Sequence, residues 1–276
     1  GAGYKVGTEA LFELGCEVVS IHKRPDGTNI NENCGAMFPN EMALKTKEEK
    51  ADLGIALDGD ADRVIFSDEN GNLIDCDQIL GVLALNMYNQ KQLKNNTVVG
   101  TIMTNIGFEN FLNYNSIILK RVSVGDRYIL DEMLNNNYNL GGEPSGHVIM
   151  SDYTKSGDGL LTAIKIISLL KKSGKKASEF LRPFSITPYK IKNLKKINNY
   201  ILETKSVKNT LKKIQLDLKN KHNGRLLVRP SGTEPIVRIL VECKYNDKID
   251  QYISKVQDLL VKENSSEWVD TKHQEF

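Results

Sequence analysis

Residues 51–66 read ADLGIALDGDADRVIF. An apolar run (Ala51 to Leu57) and a second one (Val64 to Phe66) enclose Asp58, Asp60 and Asp62, with Arg63 closing the insert. Short apolar runs separated by a Gly- and Asp-rich stretch read as two strands joined by a loop. Like charges this close raise one another's pKa, so a folded chain keeps them where a cation sits between them. Alternate residues of an extended segment share one side, which lets the three carboxylates converge on a hard cation at a strand end. A solvated acidic turn suits a single Asp-Gly better than three aspartates wedged between strands. A calcium loop of the EF-hand type is the sharper rival, because Asp58, Asp60, Asp62 and Glu69 stand at its first, third, fifth and twelfth positions. Arg63 occupies the place where that loop needs glycine, and strands rather than helices are expected on both sides. Magnesium therefore ranks above calcium, and magnesium characteristically joins protein carboxylates to a phosphate.

Working outward, apolar runs alternate with helical patterns, the signature of βαβ units and a mainly parallel sheet. Upstream, Val6 to Leu14 reads as an amphipathic helix entered from a Gly-rich turn, and Cys16 to Ile21 as a strand. Downstream, a turn at Asn70-Gly71 leads to a helix from about Asp77 to Tyr88. A strand (Asn96 to Met103), a helix over 107–113, a strand (Ser116 to Val122) and a helix over 126–134 follow. Tyr138 to Met150 reads as strand, polar loop and strand, and Gly157 to Lys172 as a long apolar helix with a basic end, as the helix dipole prefers. Pro183 and Pro188 mark a linker, after which strand, Lys-rich helix, a loop over 223–235, a strand from Ile236 and a helix from about Lys248 to Lys262 indicate a small α+β domain. The expected fold is α/β: two Rossmann-like domains, the first truncated (1–70 and 71–185), then a smaller α+β domain (186–265) and a tail (266–276).

Composition narrows the function classes. The 276 residues, 40% of them hydrophobic, suffice for more than one core. Lys plus Arg number 37 against 35 Asp plus Glu, a net charge of +2 with both signs interspersed, so no nucleic-acid-binding stripe is present. Four scattered cysteines without C-x-x-C spacing argue against zinc and disulfides, and fit a reducing cytoplasm. No apolar run is long enough to span a bilayer, so no membrane partner is expected. Oligomeric state is not legible here.

Three further constellations accompany the acidic loop. In VRPSGTEPIVR (Val228 to Arg238), Ser231, Gly232 and Thr233 form a turn suited to cradling an anion, with Arg229 and Arg238 able to fork onto phosphate oxygens. An ordinary loop is the bland alternative, and the flanking arginines and prolines weigh against it. In GGEPSGHVI (Gly141 to Ile149), Glu143, Ser145 and His147 offer an acceptor, a hydroxyl and an imidazole, a grouping suited to sugar hydroxyls. A lone histidine more often serves structure, yet its neighbours here favour a ligand-facing place. In SVGDRYIL (Ser123 to Leu130), Gly125, Asp126 and Arg127 fall at a strand-to-helix turn, where open α/β sheets bind ligands. A plain helix start capped by Asp126 fits that spacing nearly as well.

In this order, DGDADR, GEPSGH and RPSGTEP resemble the α-D-phosphohexomutase superfamily, and NINENCGA (Asn29 to Ala36) with VGDRY (Val124 to Tyr128) looks like its bacterial phosphoglucosamine mutase branch. The resemblance extends to about Lys262. It implies that Asp58, Asp60 and Asp62 bind Mg2+, with Arg63 beside the transferring phosphate. Glu143 and Ser145 would hold sugar hydroxyls, His147 would be a proton-transfer partner, and Gly125, Asp126 and Arg127 would lie in the loop that recognises two sugar orientations. Arg229, Ser231, Gly232 and Thr233, assisted by Arg238, would grip the phosphate that is not transferred. The implied reaction converts glucosamine 6-phosphate into glucosamine 1-phosphate through a phosphoserine and a glucosamine 1,6-bisphosphate intermediate, so the expected partner is a small phosphosugar. The family's serine stretch, of Thr-x-Ser-Gly or Ser-His-Asn type, does not precede DGDADR. The chain is thus expected to be part of a longer protein and inactive in isolation. A phosphomannomutase/phosphoglucomutase of the same superfamily, in which Met tends to precede Ser where Pro144 stands here, and a non-catalytic sugar-phosphate-binding module are the other readings.

Overall fold

The computed structural model describes residues 1–231 and 236–272. Two compact units divide the chain, Gly1–Ile186 and Thr187–Phe276. The division falls between Pro183 and Pro188.

In the first unit, α1 (Gly3–Glu13) and α2 (Asn40–Glu48) precede the strands β1 (Leu53–Leu57), β2 (Val64–Asp68) and β3 (Leu73–Ile74). These strands form a sheet in the order β1-β2-β3, antiparallel throughout. The acidic loop is therefore the turn of a hairpin, since six residues cannot make the crossover that parallel strands need, and this sheet departs from the mainly parallel pattern expected for the chain as a whole. Cys16 to Ile21, expected as a strand, pairs with no strand among the described residues. Its side chains still alternate between half-buried and exposed over 16–20, but without a neighbouring ladder the backbone takes no strand bonds. Helix α2 escaped the sequence reading because NEMALKTKE is mostly charged and polar; Met42, Ala43 and Thr46 bury one narrow face.

Helix α3 (Cys76–Asn89) follows, its start capped by Asp75 Oδ1, which accepts from Asp77 N at 2.9 Å. Then come β4 (Thr97–Thr101), α4 (Ile106–Tyr114), β5 (Ile118–Val122), α5 (Asp126–Asn135), β6 (Leu140–Gly142), β7 (Val148–Met150), α6 (Gly159–Ser173) and α7 (Ala177–Phe180). The second sheet runs β5-β4-β6-β7, parallel except for the β6–β7 hairpin. One apolar core joins both sheets, with Val64 and Phe66 of β2, Leu80 of α3, Val98 of β4, Phe108 of α4, Leu140 of β6 and Ile166 of α6 all buried in it. Each such side chain contributes about 1.5–3 kcal/mol on burial, so the acidic hairpin and the loop between β6 and β7 are held by one hydrophobic mass. Asp158 caps α6, its Oδ1 accepting from Leu161 N at 2.8 Å. Asp158→Ala should lower stability by about 1 kcal/mol. Urea denaturation checks this, and an unmoved midpoint would show that the cap contributes nothing.

The second unit contains β8 (Tyr189–Lys195), α8 (Lys205–His222), β9 (Arg225–Pro230), β10 (Ile236–Glu242) and α9 (Asn246–Lys272). Its sheet runs β8-β10-β9, antiparallel. Val207 and Leu218 of α8 and Ile249, Val256 and Leu260 of α9 pack on Val237, Ile239 and Val241 of β10. The stretch read as one loop over 223–235 contains β9: in RLLVRP the alternation is blurred because the edge strand is only half-buried.

Candidate active site

The acidic loop closes as a tight turn. Asp58 N donates to Arg63 O at 3.4 Å, Ala61 N to Asp58 O at 3.3 Å, and Arg63 N to Asp58 Oδ1 at 3.0 Å. Ala61 sits at φ +63°, in the left-handed region. The carboxylates thus converge because the chain turns, and not because alternate residues of an extended segment face one way. One oxygen from each of Asp58, Asp60 and Asp62 lies within 4.8 Å of the others. Strands flank the loop on both sides, where a calcium loop of the EF-hand type needs helices.

The cluster is electrostatically incomplete with protein groups alone. Arg63 Nε stands 3.7 Å from Asp58 Oδ2 and 3.7 Å from Asp62 Oδ1, outside hydrogen-bonding range. Asp62 Oδ1 and Arg63 Nε are both buried without a hydrogen-bond partner among the described residues. Burial, then a hydrogen bond shared with Asp58 and the charges of Asp58 and Asp60, push the Asp62 carboxyl above its ordinary range, against the pull of His147. Three hard oxygen donors with an orphaned buried oxygen fit a divalent cation of the magnesium kind.

The loop Glu143 to His147 is stitched to this turn. Arg63 and His147 form an antiparallel bridge, and Val64 N donates to Gly146 O at 3.1 Å. Gly146, at φ +98°, is required there, since a Cβ would stand 2.7 Å from Val64 O. His147 Nδ1 stands 3.0 Å from Asp62 Oδ2, within hydrogen-bonding range. Glu143 Oε1 accepts from Gly125 N at 2.9 Å, while its Oε2 accepts from Ser145 Oγ at 3.2 Å. Gly125 is the residue that caps α5, so Asp126 is the first helical residue and not the cap. Asp126 Oδ1 accepts from Arg127 N at 2.8 Å, and the Arg127 side chain is exposed, 3.6 Å from Asp131.

The first unit therefore brings Asp58, Asp60, Asp62, Arg63, His147, Glu143, Ser145 and Gly125 into one connected set, with Asp126 and Arg127 on the exposed start of α5. The segment after β7 also belongs to it, which sequence reasoning saw only as a helix start. Gly159 N donates to Ala61 O at 2.9 Å, and Asp158 N to Val148 O at 3.3 Å. The recurring glycines of 157–159 were the available signal.

In the second unit, Arg229 of β9 stands directly opposite Arg238 of β10. Like charges opposed across a ladder destabilise it. Burial first, and then the charge of Arg238, depress the Arg229 guanidinium pKa. Arg229 Nη1 donates to Pro230 O at 3.4 Å, whereas Arg229 Nε is buried without a partner among the described residues. Ser231 N donates to Ile236 O at 2.8 Å, closing the strand connection. Gly232 and Thr233 lie outside the described residues. The paired guanidiniums are suited to a dianion.

Family models of phosphoglucomutase/phosphomannomutase match nearly the whole chain: alpha/beta/alpha domain II over residues 1–71, alpha/beta/alpha domain III over 75–185 and the C-terminal domain over 189–259. The chain belongs to the phosphoglucomutase/phosphomannomutase family. Among its relatives, the phosphoglucosamine mutase of Rhizobium leguminosarum bv. trifolii is 43% identical over 256 residues, which are 93% of this chain and 56% of that protein. The phosphoglucosamine mutase of Rhodopseudomonas palustris is 44% identical, with the same shares of 93% and 56%. The chain thus spans about half the length of the curated relatives it matches. Among solved structures, a phosphoglucomutase/phosphomannomutase family protein from Burkholderia thailandensis superposes with a TM-score of 0.77 at 20% identity, over 95% of this chain and 58% of that one. Aspergillus fumigatus N-acetylphosphoglucosamine mutase, solved in complex with GlcNAc-6P and magnesium, gives 0.65 at 18% identity, over 85% and 54%. These two likenesses speak for the fold.

Proposed function

We propose that this chain carries the metal-, sugar- and phosphate-binding parts of a cytoplasmic phosphoglucosamine mutase, which interconverts glucosamine 6-phosphate and glucosamine 1-phosphate through a phosphoserine and glucosamine 1,6-bisphosphate. The observation that supports it best is the joining of the three-aspartate turn to the Glu143–His147 loop through Arg63, Asp62 and His147. The identities above 40% to phosphoglucosamine mutases favour an amino-sugar phosphate over other hexose phosphates. The division at residues 70 and 185, with a tail from 266, belongs to the same proposal.

Asp58, Asp60 and Asp62 would hold Mg2+, which when bound neutralises charge on a transferring phosphoryl group. Arg63 adds a fixed positive charge beside them, preorganised by the hairpin and so needing little rearrangement as charge moves. Glu143 and Ser145 provide an acceptor and a hydroxyl for sugar hydroxyls. Because Glu143 is already anchored on Gly125 N, a sugar meets a carboxylate of set direction. Gly125, Asp126 and Arg127 face the same ligand from the exposed end of α5. Arg229 and Arg238, with Ser231, Gly232 and Thr233, grip a phosphate that stays on the sugar, supplying orientation.

Arg229→Ala should weaken binding of both monophosphate isomers by about 1.5–3 kcal/mol, the worth of one charge-assisted contact. Calorimetry with each isomer checks it, and a loss confined to one isomer would show that this is not the shared phosphate site. The 276 residues by themselves, which hold no candidate serine stretch ahead of the metal turn, should bind glucosamine 6-phosphate at about −4 kcal/mol, in the millimolar range. They should show no turnover in a coupled mutase assay. Turnover by these residues alone, or equal binding of mannose 6-phosphate, would overturn the proposal.

A further inference from the structure

The imidazole of His147 occupies an unusual setting. Its side chain is 5% exposed, and Nδ1 stands 3.0 Å from Asp62 Oδ2. An ionised carboxylate only accepts, so Nδ1 carries the hydrogen of that bond and the other ring nitrogen, Nε2, is the acceptor in the neutral ring. Nε2 is buried and has no hydrogen-bond partner among the described residues. What lies against it is backbone: a Cβ built on Gly157 would stand 2.3 Å from Cε1, 2.5 Å from Nε2 and 2.6 Å from Nδ1 of the ring. The ring is thus walled by Gly157 on one side and bonded to Asp62 on the other. It presents no nitrogen to a substrate.

We propose that His147 is a positioning residue for the metal site rather than a proton-transfer group. It holds Asp62 through Nδ1–H so that the remaining oxygen, Oδ1, points into the three-aspartate cluster, and Gly157 is the position that makes room for it. This rests on the metal reading of Asp58, Asp60 and Asp62. The chemistry is that of an outer-shell partner, which orients a ligand and restricts its rotamers, and whose loss typically lowers metal affinity about 10–100-fold.

The backbone around the ring is built to the same end. Val64 N donates to Gly146 O, the Arg63–His147 bridge brings the histidine's backbone alongside the acidic turn, and Asp158 N donates to Val148 O at 3.3 Å, drawing Gly157 against the ring. A side chain at residue 157 cannot be accommodated without moving either this anchored backbone or the imidazole, and the ring is the softer element.

The test is Mn2+ binding to the 276-residue chain, read directly by electron paramagnetic resonance and by calorimetry, with circular dichroism melts confirming that each variant is folded. His147→Ala should weaken Mn2+ binding about 10–100-fold. His147→Asn should recover most of that loss, because the asparagine amide nitrogen falls close to the place of Nδ1 and can donate to Asp62. Gly157→Ala, which displaces the ring without removing it, should weaken Mn2+ binding in the direction of His147→Ala. Folded His147→Ala that binds Mn2+ like the parent would overturn the proposal, as would failure of His147→Asn to recover affinity. If the parent binds no Mn2+, or Asp60→Asn binds as well as the parent, the metal reading itself fails and the positioning role falls with it.

Discussion

If the chain belongs to a phosphoglucosamine mutase as proposed, Asp60→Asn made in that enzyme is expected to lower turnover by about 100-fold or more while leaving the unfolding midpoint nearly unchanged. The bound is set by the 10–100-fold cost of losing only an outer-shell partner; losing a ligand charge should exceed it. The change removes a charge and scarcely any volume. Asp60 is exposed, so no packing is lost. Burial is the main cause that raises the Asp62 carboxyl, with the charge of Asp60 a smaller one; removing that charge relieves part of the repulsion, which should hold stability level or slightly improve it in the metal-free protein. Turnover measured against magnesium concentration decides the matter. A variant that keeps parental turnover at limiting magnesium would remove the three aspartates from the mechanism.

The largest effect on stability is expected at Arg182→Ala. Arg182 Nη1 donates to Asp68 Oδ2 at 2.7 Å and its Nη2 to Leu73 O at 3.2 Å, tying the segment after α7 to the hairpin that bears the acidic turn. Asp68 is 1% exposed. Burial alone would raise its carboxyl pKa. The N–H groups of Asn72 and Asn70 and the Arg182 guanidinium outweigh burial and hold it below the ordinary carboxylate range. Breaking a buried pair from one side costs about 3–5 kcal/mol, and a loss at or below the lower end is expected because the Arg182 side chain is 29% exposed and two backbone N–H donors to Asp68 remain. The folded pKa is depressed, so the stabilisation is present above the ordinary carboxylate pKa, about 3.9, and is lost as pH falls through the folded value. Urea midpoints of parent and variant should therefore differ widely at pH 7 and draw together under acid. Equal midpoints at pH 7, or a gap that widens on acidification, would contradict the pairing.

Much of the candidate site was legible in the primary structure because the residues proposed for it are local. Asp58, Asp60, Asp62 and Arg63 lie in six consecutive residues, and Glu143, Ser145 and His147 in five, so spacing alone brings each set together. Helices with strong apolar periods, such as α5 and α6, were read to within a few residues. The misses have physical causes. Helix α2 buries three small or flexible side chains under a charged surface, which leaves no periodic signal. Strand β9 is a half-buried edge whose two arginines blur the alternation. Cys16 to Ile21 has strand-forming residues and even alternating burial, but strand structure is a property of a pair, and no partner ladder runs beside it among the described residues.

The contact between loops separated by more than 80 residues and the role of Gly157 were decided by the tertiary structure. A carboxylate's bonding partner depends on which distant backbone the core presses against it. The shared burial of Val64, Phe66, Leu140 and Val148 is what places His147 on Asp62 and leaves Gly157 no room for a side chain. The amino-acid order by itself determined which donors and charges exist and how densely each loop carries them, because those are properties of neighbouring residues. Their pairing is non-local, paid for by apolar burial elsewhere in the chain, and so belongs to the fold.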